Sequence, residues 1–426
     1  MHGARALLAR VALGYVFLGA WITDARADGM PFPEKTAASL EVKATAQRAV
    51  VWLRDATWEV HIQPIFDRDK GRAAWVVPFP VRPDIAESSA QLFDDLEIIT
   101  SPVFVSYCTP EYEGDDGFMG CGGSDLAASG GDASKGSARG GVQIWEKGQV
   151  GQLDYVVLSS TGGDDLVAWL DANDYAVSAA AASAIKSFET EGQFFFVAQV
   201  SESSDPARPL SPVRFRLPGA TAGFYPLRLT ALAVAGTATL DLTLWVVFPK
   251  DQAFLPGSHS HEVFDGHPDS RQAYDLALDS FFAAHTTSTL LLLYSMSTTY
   301  EDLFAHQRCR FDTGGYLCTS YDELGITVPA SWSNDLKQME NDGVWIQRYQ
   351  GKLDAAAMAN DLWFEPTSDT IGTRDCFYFT SEGTCPGSGD DGCRVARGLR
   401  RSSWLVLAMG AFLLGVLLHR WRRRGS

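Results

Sequence analysis

The chain has 426 residues, of which 46% are hydrophobic and 20% are charged, so it can bury a substantial core in two or three domains or in one large one. Its formal net charge is −17, and because basic residues cluster at both ends the middle of the chain is more acidic still. Such a surface repels phosphate groups, which disfavours nucleic-acid binding. It is typical of a soluble exported protein, and it could also attract cations or basic partners.

The amino terminus has the three parts of a secretory signal peptide. Arg5 and Arg10 form a basic start, and residues 11–22 form an apolar run too short for an ordinary membrane-spanning helix. Ala25 and Ala27 then provide the small residues that signal peptidase accepts. We therefore expect residues 1–27 to be a signal peptide, with an uncleaved anchor as the alternative.

The next segments alternate between strand and helix patterns. Residues 57–66 place Trp58, Val60 and Ile62 on one face, which predicts a half-buried strand that Pro64 makes an edge strand or a bulge. Residues 73–84 predict a buried strand that three prolines end. Residues 88–99 have helical spacing. The glycine-rich stretch 114–141 predicts a flexible loop, and it contains no phosphate-binding motif.

Strands and two helices are predicted beyond this loop. The strands cover 142–145, 153–158, 194–200 and 213–217, and the helices cover 164–175 and 178–191, the second capped by Ser178. A hairpin is predicted from 225–234 to 237–248, turning at 235–236. In its second arm, alternate apolar residues from Leu240 to Phe248 share one face, which indicates a sheet.

After Pro249 the pattern changes. We expect a polar loop at 259–269, a helix at 270–284, a strand or buried helix at 288–296 and a loop-rich stretch at 309–392. The predicted fold class is α+β, an antiparallel-sheet-rich exported domain with segregated helices. The predicted organisation is a strand-rich core at 28–256 and a helix- and loop-rich continuation at 257–386.

Six of the seven cysteines fall into three close pairs. The pairs are Cys108 with Cys121, Cys309 with Cys318, and Cys376 with Cys385. In an exported protein this spacing predicts three local disulfides, although six cysteines permit other connectivities. No CxxC motif occurs, and Cys393 is left over.

The carboxyl end predicts a membrane anchor. Residues 387–401 form a linker, residues 402–420 a transmembrane helix containing the uncharged run 404–418, and residues 421–426 a basic cytoplasmic tip. Four arginines lie on each side of the run, so only the signal peptide decides that the body faces outward. The tail, with Cys393 in a glycine-rich lead-in, resembles the sorting tails of myxobacterial surface proteins, which implies retention at the cell surface. It departs from them in the arginines between Cys393 and the apolar run.

One group of residues suggests metal binding. His259, His261, Asp265 and His267 lie within nine residues, together with Glu262, and imidazole and carboxylate groups at this density could hold zinc. The alternative is a solvated loop, since the run has no HExxH motif and lies among turn-forming residues. No motif indicates a catalytic nucleophile, and no cofactor is predicted.

The middle of the chain resembles the DUF2330 family of uncharacterised bacterial exported proteins. The resemblance covers roughly residues 40–366 and is carried by the segments QRAVVWLRDATWEVHIQPIF, AAWVVPFPVRPD, LFDDLEIITSPVF, VGQLDYVVLSSTGGDDLVAWLDANDY, FFFVAQV, LSPVRFRLPG, YPLRLTALAV and VWIQRYQGKLDAAAMANDLWF. The amino-terminal lead-in lacks the cysteine associated with the family. The resemblance implies an exported, often membrane-anchored protein and brings no catalytic residues.

The sequence as a whole predicts a membrane-anchored extracytoplasmic envelope protein with a binding or structural role at the cell surface. Its expected partners are the membrane, through the carboxyl-terminal helix, and an unidentified protein or envelope component, but not nucleic acid. The alternative is a metal-dependent hydrolase that uses the 259–267 loop. A third interpretation is an acidic cation-binding surface protein. Whether the chain is an enzyme is left open, with the absence of a catalytic motif weighing against it.

Overall fold

The structure is a computed structural model, and it describes only part of the chain. The described residues are 30–35, 46–63, 73–106, 141–160, 162, 164–201, 210–234, 239–266, 268, 270–285, 287–299, 307–312, 315–321, 327–329, 331–338, 343–368 and 377–380. Several predicted features lie outside them, namely the signal peptide with Ala25 and Ala27, most of the glycine-rich loop, five cysteines (Cys108, Cys121, Cys376, Cys385 and Cys393), His267 and the carboxyl-terminal anchor. Among the described helices, none has the length and apolar character needed to cross a membrane.

Strands make up most of the described structure. In chain order they are β1 (Met30–Pro33), β2 (Ala46–Arg54), β3 (Thr57–Ile62), β4 (Ala73–Phe79), β5 (Asp84–Glu87), β6 (Val103–Ser106), β7 (Val142–Val150), β8 (Leu153–Ser160), β9 (Phe194–Val200), β10 (Val213–Leu217), β11 (Gly223–Tyr225), β12 (Leu240–Pro249), β13 (Phe254–Pro256), β14 (Ser260–Val263), β15 (Thr289–Thr298), β16 (Gln307–Asp312), β17 (Gly315–Ser320), β18 (Val344–Leu353), β19 (Leu362–Pro366) and β20 (Phe377–Thr380).

Serine side chains start most of the helices. The described α-helices are α1 (Ala90–Thr100), α2 (Asp165–Ala172), α3 (Ala179–Thr190), α4 (Arg271–Ala284) and α5 (Asn334–Lys337). The hydroxyl groups of Ser89, Ser178, Ser270 and Ser333 accept hydrogen bonds from backbone N–H groups in the first turns of α1, α3, α4 and α5. Each bond satisfies a donor that has no partner within the helix, which is why these serines mark the helix starts.

Two large sheets form the centre of the protein. The five-stranded sheet has the order β1-β4-β9-β8-β7 and is antiparallel throughout. The eight-stranded sheet has the order β14-β15-β18-β12-β2-β3-β10-β5, with parallel pairs at β14-β15 and β12-β2. A three-stranded antiparallel sheet, β11-β19-β13, lies beside them, and β16-β17 and β20-β6 form two-stranded sheets.

The two large sheets pack face to face around the largest core cluster. Phe215 of β10 lies at this interface, with its ring centroid 4.6 Å from that of Phe79 and 4.9 Å from that of Phe196 in the five-stranded sheet. All three rings are fully buried, and burial of such a side chain stabilises the fold by about 1.5–3 kcal/mol.

Helices cover the outer faces of both sheets. Apolar residues of α2 and α3, such as Leu166 and Ile185, pack on the outer face of the five-stranded sheet. Residues of α1, α4 and α5, such as Phe93, Tyr274 and Leu336, pack on the outer face of the eight-stranded sheet. The result is a layered arrangement of helices, sheet, sheet and helices. The predicted α+β class and the predicted antiparallel sheets are confirmed.

The individual elements correct several predictions. β3 is neither an edge strand nor half-buried, because it lies between β2 and β10 with both faces covered. The hairpin predicted from 225 to 248 is wrong, since β12 pairs with β18 and, in parallel, with β2. The predicted face alternation of β12 is confirmed by the burial of Leu240, Leu242, Leu244, Val246 and Phe248 in one cluster.

The second half of the chain contains more sheet than its sequence suggested. The predicted loop at 259–269 includes β14, and the stretch expected to be loop-rich contains the long strand β18. The segment 288–296 is a strand rather than a buried helix. Strands from both sides of position 256, where a domain division was predicted, lie together in the eight-stranded sheet.

Candidate functional site

An open cleft lies on the outer face of the five-stranded sheet, next to the carboxyl end of α2. Its volume is about 610 Å³, within the range of small-molecule sites. We call it the polar cleft. It is lined by Glu34, Lys147, Gly148, Asp154, Tyr155, Val156, Trp169, Ala172, Asn173, Asp174, Tyr175, Val197, Ala198 and Gln199.

Three parts of the fold position these residues. Asp154 and Val156 alternate along β8, and Val197 and Gln199 occupy the cross-strand positions opposite them on β9. The segment after α2 forms the wall, where Tyr175 makes an isolated antiparallel bridge with Glu34. The strands therefore contribute both apolar and polar side chains to the cleft, and the segment after α2 adds further polar ones.

Three charged side chains of the polar cleft have no partner within the described structure. Asp154, Asp174 and Lys147 make no side-chain hydrogen bond or ion pair with the described residues. At the rim, by contrast, Lys35 Nζ lies 2.8 Å from Asp171 Oδ1, so these two charges neutralise each other. A carboxylate without a partner beside a cavity is available to a ligand.

Aromatic and amide groups complete the cleft. Tyr175 is 6% exposed, and its hydroxyl group donates to Gln199 Oε1 at 2.6 Å, which fixes both side chains. Trp169 is half-buried, and Asn173 Nδ2 donates to its backbone oxygen at 2.7 Å. Together these residues place an aromatic side chain, hydrogen-bonding groups and negative charge around one space.

The backbone at Asp174 has a left-handed conformation. Its φ angle is 66°, a region that glycine adopts most readily and that is common just after a helix. The Tyr175 N–H group donates to Leu170 O at 3.0 Å, which closes the end of α2. This position holds Asp instead of Gly, which places a carboxylate at the cleft.

A second polar cluster lies buried on the outer face of the eight-stranded sheet. His61 Nδ1 and Ser88 Oγ are hydrogen bonded at 2.7 Å, and His61 Nε2 lies 3.6 Å from Glu59 Oε2. Arg54 approaches both Glu59, at 3.7 Å, and Asp335 of α5, at 3.4 Å. The guanidinium group also lies 4.0 Å above the ring of Trp52, in cation–π geometry.

Burial governs the titration of this cluster. Burial lowers the pKa of His61 below its usual value, and the neighbouring Glu59 opposes this by raising it. Burial raises the pKa of Glu59, but the contact with His61 and the charge of Arg54 outweigh it, so the net pKa is lowered. Neutral His61 and ionised Glu59 are therefore the forms that the fold favours.

The order Glu59, His61, Ser88 is that of an acid, a base and a nucleophile. His61 is fully buried and Ser88 is 8% exposed, so a substrate cannot reach the hydroxyl group in this arrangement. The Glu59–His61 distance is also too long for a hydrogen bond. The cluster instead links β2, β3, α5 and the segment before α1.

The predicted metal residues have different surroundings. His259 contacts Ala357 O through Nε2, at 3.0 Å, and Ser258 Oγ through Nδ1, also at 3.0 Å. His261 lies on β14 with its ring centroid 6.5 Å from that of Tyr349. Asp265 is exposed, and His267 lies outside the described residues.

One contact connects this loop to a histidine elsewhere. His285, at the end of α4, has its Nε2 3.2 Å from Glu262 Oε2. Across the part of the chain that the structure covers, no group of three or more His, Cys, Asp or Glu side chains could hold a metal ion. With His267 outside that part, the metal site stays a prediction.

Of the predicted disulfides, one pair can be placed by its backbone. Cys309 of β16 and Cys318 of β17 are directly opposite each other in an antiparallel pair. Directly opposite residues in such a pair have Cα atoms about 4.5–5.5 Å apart, within the range that a disulfide requires. The other two pairs lie outside the described residues.

Sequence reasoning did not find the polar cleft. Asp154 belonged to a predicted strand, and Trp169 and Asp174 belonged to a predicted helix whose function was taken to be packing. The one available signal was Asn173-Asp174 at the end of that helix, where glycine is the commoner residue.

One family model matches the chain. It is described as "Uncharacterized protein conserved in bacteria (DUF2330)" and covers residues 35–250. No curated protein and no solved structure shows a significant match. The matched region contains every residue that lines the polar cleft except Glu34.

Proposed function

The chain belongs to the DUF2330 family of bacterial proteins, and from this premise we propose that it is an exported, membrane-tethered envelope protein whose body binds a small ligand in the polar cleft. In this proposal the signal peptide directs export and the carboxyl-terminal segment holds the body at the membrane. The body of the protein faces outward, at the cell surface.

The polar cleft is the observation that carries the binding role. Its carboxylates at Asp154 and Asp174 have no partner in the described structure, and Trp169 lines the same space. Convergence of charged, amide and aromatic groups on one cavity of about 610 Å³ favours a ligand site.

Export is supported by the sequence of both ends and by one backbone register. Residues 1–27 have the parts of a signal peptide, and residues 404–418 form an uncharged run next to arginines. The facing positions of Cys309 and Cys318 suit a disulfide, which persists in oxidising compartments outside the cytoplasm.

Topology is tested by fusing, at Ser403, a reporter enzyme that is active only outside the cytoplasm. We expect an active fusion from the chain with its full leader and an inactive one from a matched fusion that lacks residues 1–27. Thiol alkylation provides a second test. Cys318 should resist alkylation in the full-length protein and should be alkylated in the Cys309→Ser variant. An inactive fusion together with a freely alkylated Cys318 would overturn export.

The 259–267 loop supports a second candidate function, a metal-dependent hydrolase. The observation in its favour is the 3.2 Å contact between Glu262 and His285, which joins an imidazole and a carboxylate at the loop. The hydrogen bonds that occupy both ring nitrogens of His259 weigh against it, because a ligand nitrogen must be free to bind metal. A zinc-induced rise in melting temperature that His261→Asn abolishes would support this function, and no rise would remove it.

A further inference from the structure

We infer that the polar cleft binds an organic ammonium ion, either a protonated amine or a quaternary ammonium group on a small polar body. The inference rests on the proposed binding role of the cleft and names its ligand class. The charge, the tryptophan in the lining and the size of the space each point to this class.

The charge of the cleft favours a cation. Two carboxylates without a partner in the described structure, those of Asp154 and Asp174, line the space together with one ammonium group, that of Lys147. The neighbouring Lys35 does not offset this balance, because it is paired with Asp171. The cleft is therefore net negative within a chain of formal charge −17, and it repels phosphates and carboxylates while attracting cations.

The presence of Trp169 in the lining provides a second reason. Trp169 is half-buried and borders the same space as Asp154 and Asp174. The face of an indole ring attracts cations more strongly than other side-chain rings, and quaternary ammonium ligands are recognised by such rings. An uncharged ligand would gain the apolar contact with Val156 and Val197 but not this electrostatic attraction.

The surroundings favour an organic cation over a metal ion. The described residues contain no group of three or more His, Cys, Asp or Glu side chains placed to ligate one metal ion, and this includes the carboxylates of the cleft. A cavity of about 610 Å³ is far larger than a bare ion needs. The amide group of Asn173 can instead hydrogen bond with a hydroxyl or amino group on the body of the ligand.

Titration calorimetry on the full-length protein tests the inference with matched pairs of probes. Choline is compared with dimethylbutanol, its uncharged carbon isostere, and putrescine with butanediol. We expect at least one cation to bind and its neutral counterpart to bind at least about tenfold more weakly. Binding by choline alone indicates a quaternary ammonium ligand, whereas binding by putrescine alone indicates a protonated amine; either result supports the class. Raising the salt concentration should weaken the binding, because exposed charges are screened.

Variants identify the cleft as the site. Asp154→Asn and Trp169→Ala should each weaken the binding about tenfold, whereas Asp84→Asn, an exposed carboxylate on the opposite sheet's edge strand, should leave it unchanged. Equal binding of charged and neutral probes, with Trp169→Ala still weakening it, would overturn the ligand class and keep the cleft as a site. If neither cation binds, or if the variants have no effect, the inference is overturned. Failure of the export reporter would instead overturn the proposed localisation.

Discussion

Asp361 offers a sharp test of how the smaller sheet is held against the rest of the fold. It lies just before β19 and is 3% exposed. Its Oδ1 accepts hydrogen bonds from the backbone N–H groups of Leu227 and Arg228, at 2.9 and 3.0 Å, and its Oδ2 accepts one from Arg228 Nε at 2.7 Å. Arg228 also makes a bidentate pair with Glu191, at the end of α3, with distances of 2.7 and 2.6 Å.

Replacing Asp361 by Ala removes three hydrogen bonds at once. Loss of one partner from a buried ion pair costs about 3–5 kcal/mol, chiefly because the remaining groups are left without a partner. Here Asp361 is buried and Arg228 is 23% exposed, so water can reach part of the guanidinium group. Arg228 keeps Glu191, so we expect the lower end of this range, about 3 kcal/mol. Asp361→Asn retains the acceptor for the two backbone N–H groups but turns a donor toward Arg228 Nε, so we expect a loss of about 2 kcal/mol.

Urea unfolding followed by tryptophan fluorescence measures these losses. The matched control is Asp84→Ala, which removes an exposed carboxylate and should change the free energy of unfolding by less than about 0.5 kcal/mol. The slope of the free energy against urea should be unchanged in all variants, because the same surface is exposed on unfolding. A loss of less than about 1 kcal/mol in Asp361→Ala would refute the reasoning that this carboxylate connects the elements.

Three further substitutions have defined outcomes. Asp55 and Ala56 both have positive φ angles, 49° and 54°, in the turn between β2 and β3. Because glycine adopts such angles more readily, Ala56→Gly should raise the free energy of unfolding by about 0.5–1 kcal/mol. A lower free energy of unfolding in urea would contradict this prediction. His61 has a lowered pKa when folded, so the unfolded chain takes up its proton first as the pH falls below about 6.5 and stability declines. His61→Gln should make the decline in urea midpoint from about pH 7 to about pH 5 shallower, and an unchanged slope would show that His61 does not contribute. Asp174→Gly should stabilise the protein by about 0.5–1 kcal/mol, measured by differential scanning calorimetry, because Asp174 has a positive φ angle. The same substitution should weaken the binding of choline or putrescine in titration calorimetry. A destabilised variant would contradict the conformational argument.

The sequence predicted helices and strands well where the signal lies within a few neighbouring residues. The starts of α3 and α4 follow from Ser178 and Ser270, because a capping hydroxyl group acts on N–H groups only two or three residues away. The alternation from Leu240 to Phe248 predicted β12 for a similar reason, since strand geometry places every second side chain on the same face. Both rules use neighbours in the sequence.

The partners of these elements could not be predicted in the same way. β12 was assigned to a hairpin with the preceding segment, yet it pairs with β18 and β2, which lie far from it in the sequence. β3 looked half-buried because Glu59 and His61 are polar. Arg54 and Ser88 reach them from other elements, and Asp335 in turn pairs with Arg54. Polar groups can be buried once they have such partners.

The sequence by itself determined the chemical character of this protein, namely an acidic body between two apolar ends, an α+β fold rich in antiparallel strands and the family to which the chain belongs. The charge and the apolar ends follow from composition, and the strands and helices follow from periodicity over a few residues. Only the tertiary structure decided which strands are central and where a ligand site lies. The polar cleft combines Glu34, Asp154, Asp174 and Gln199 from separate elements, and their proximity results from sheet pairing and from the packing of α2 on that sheet.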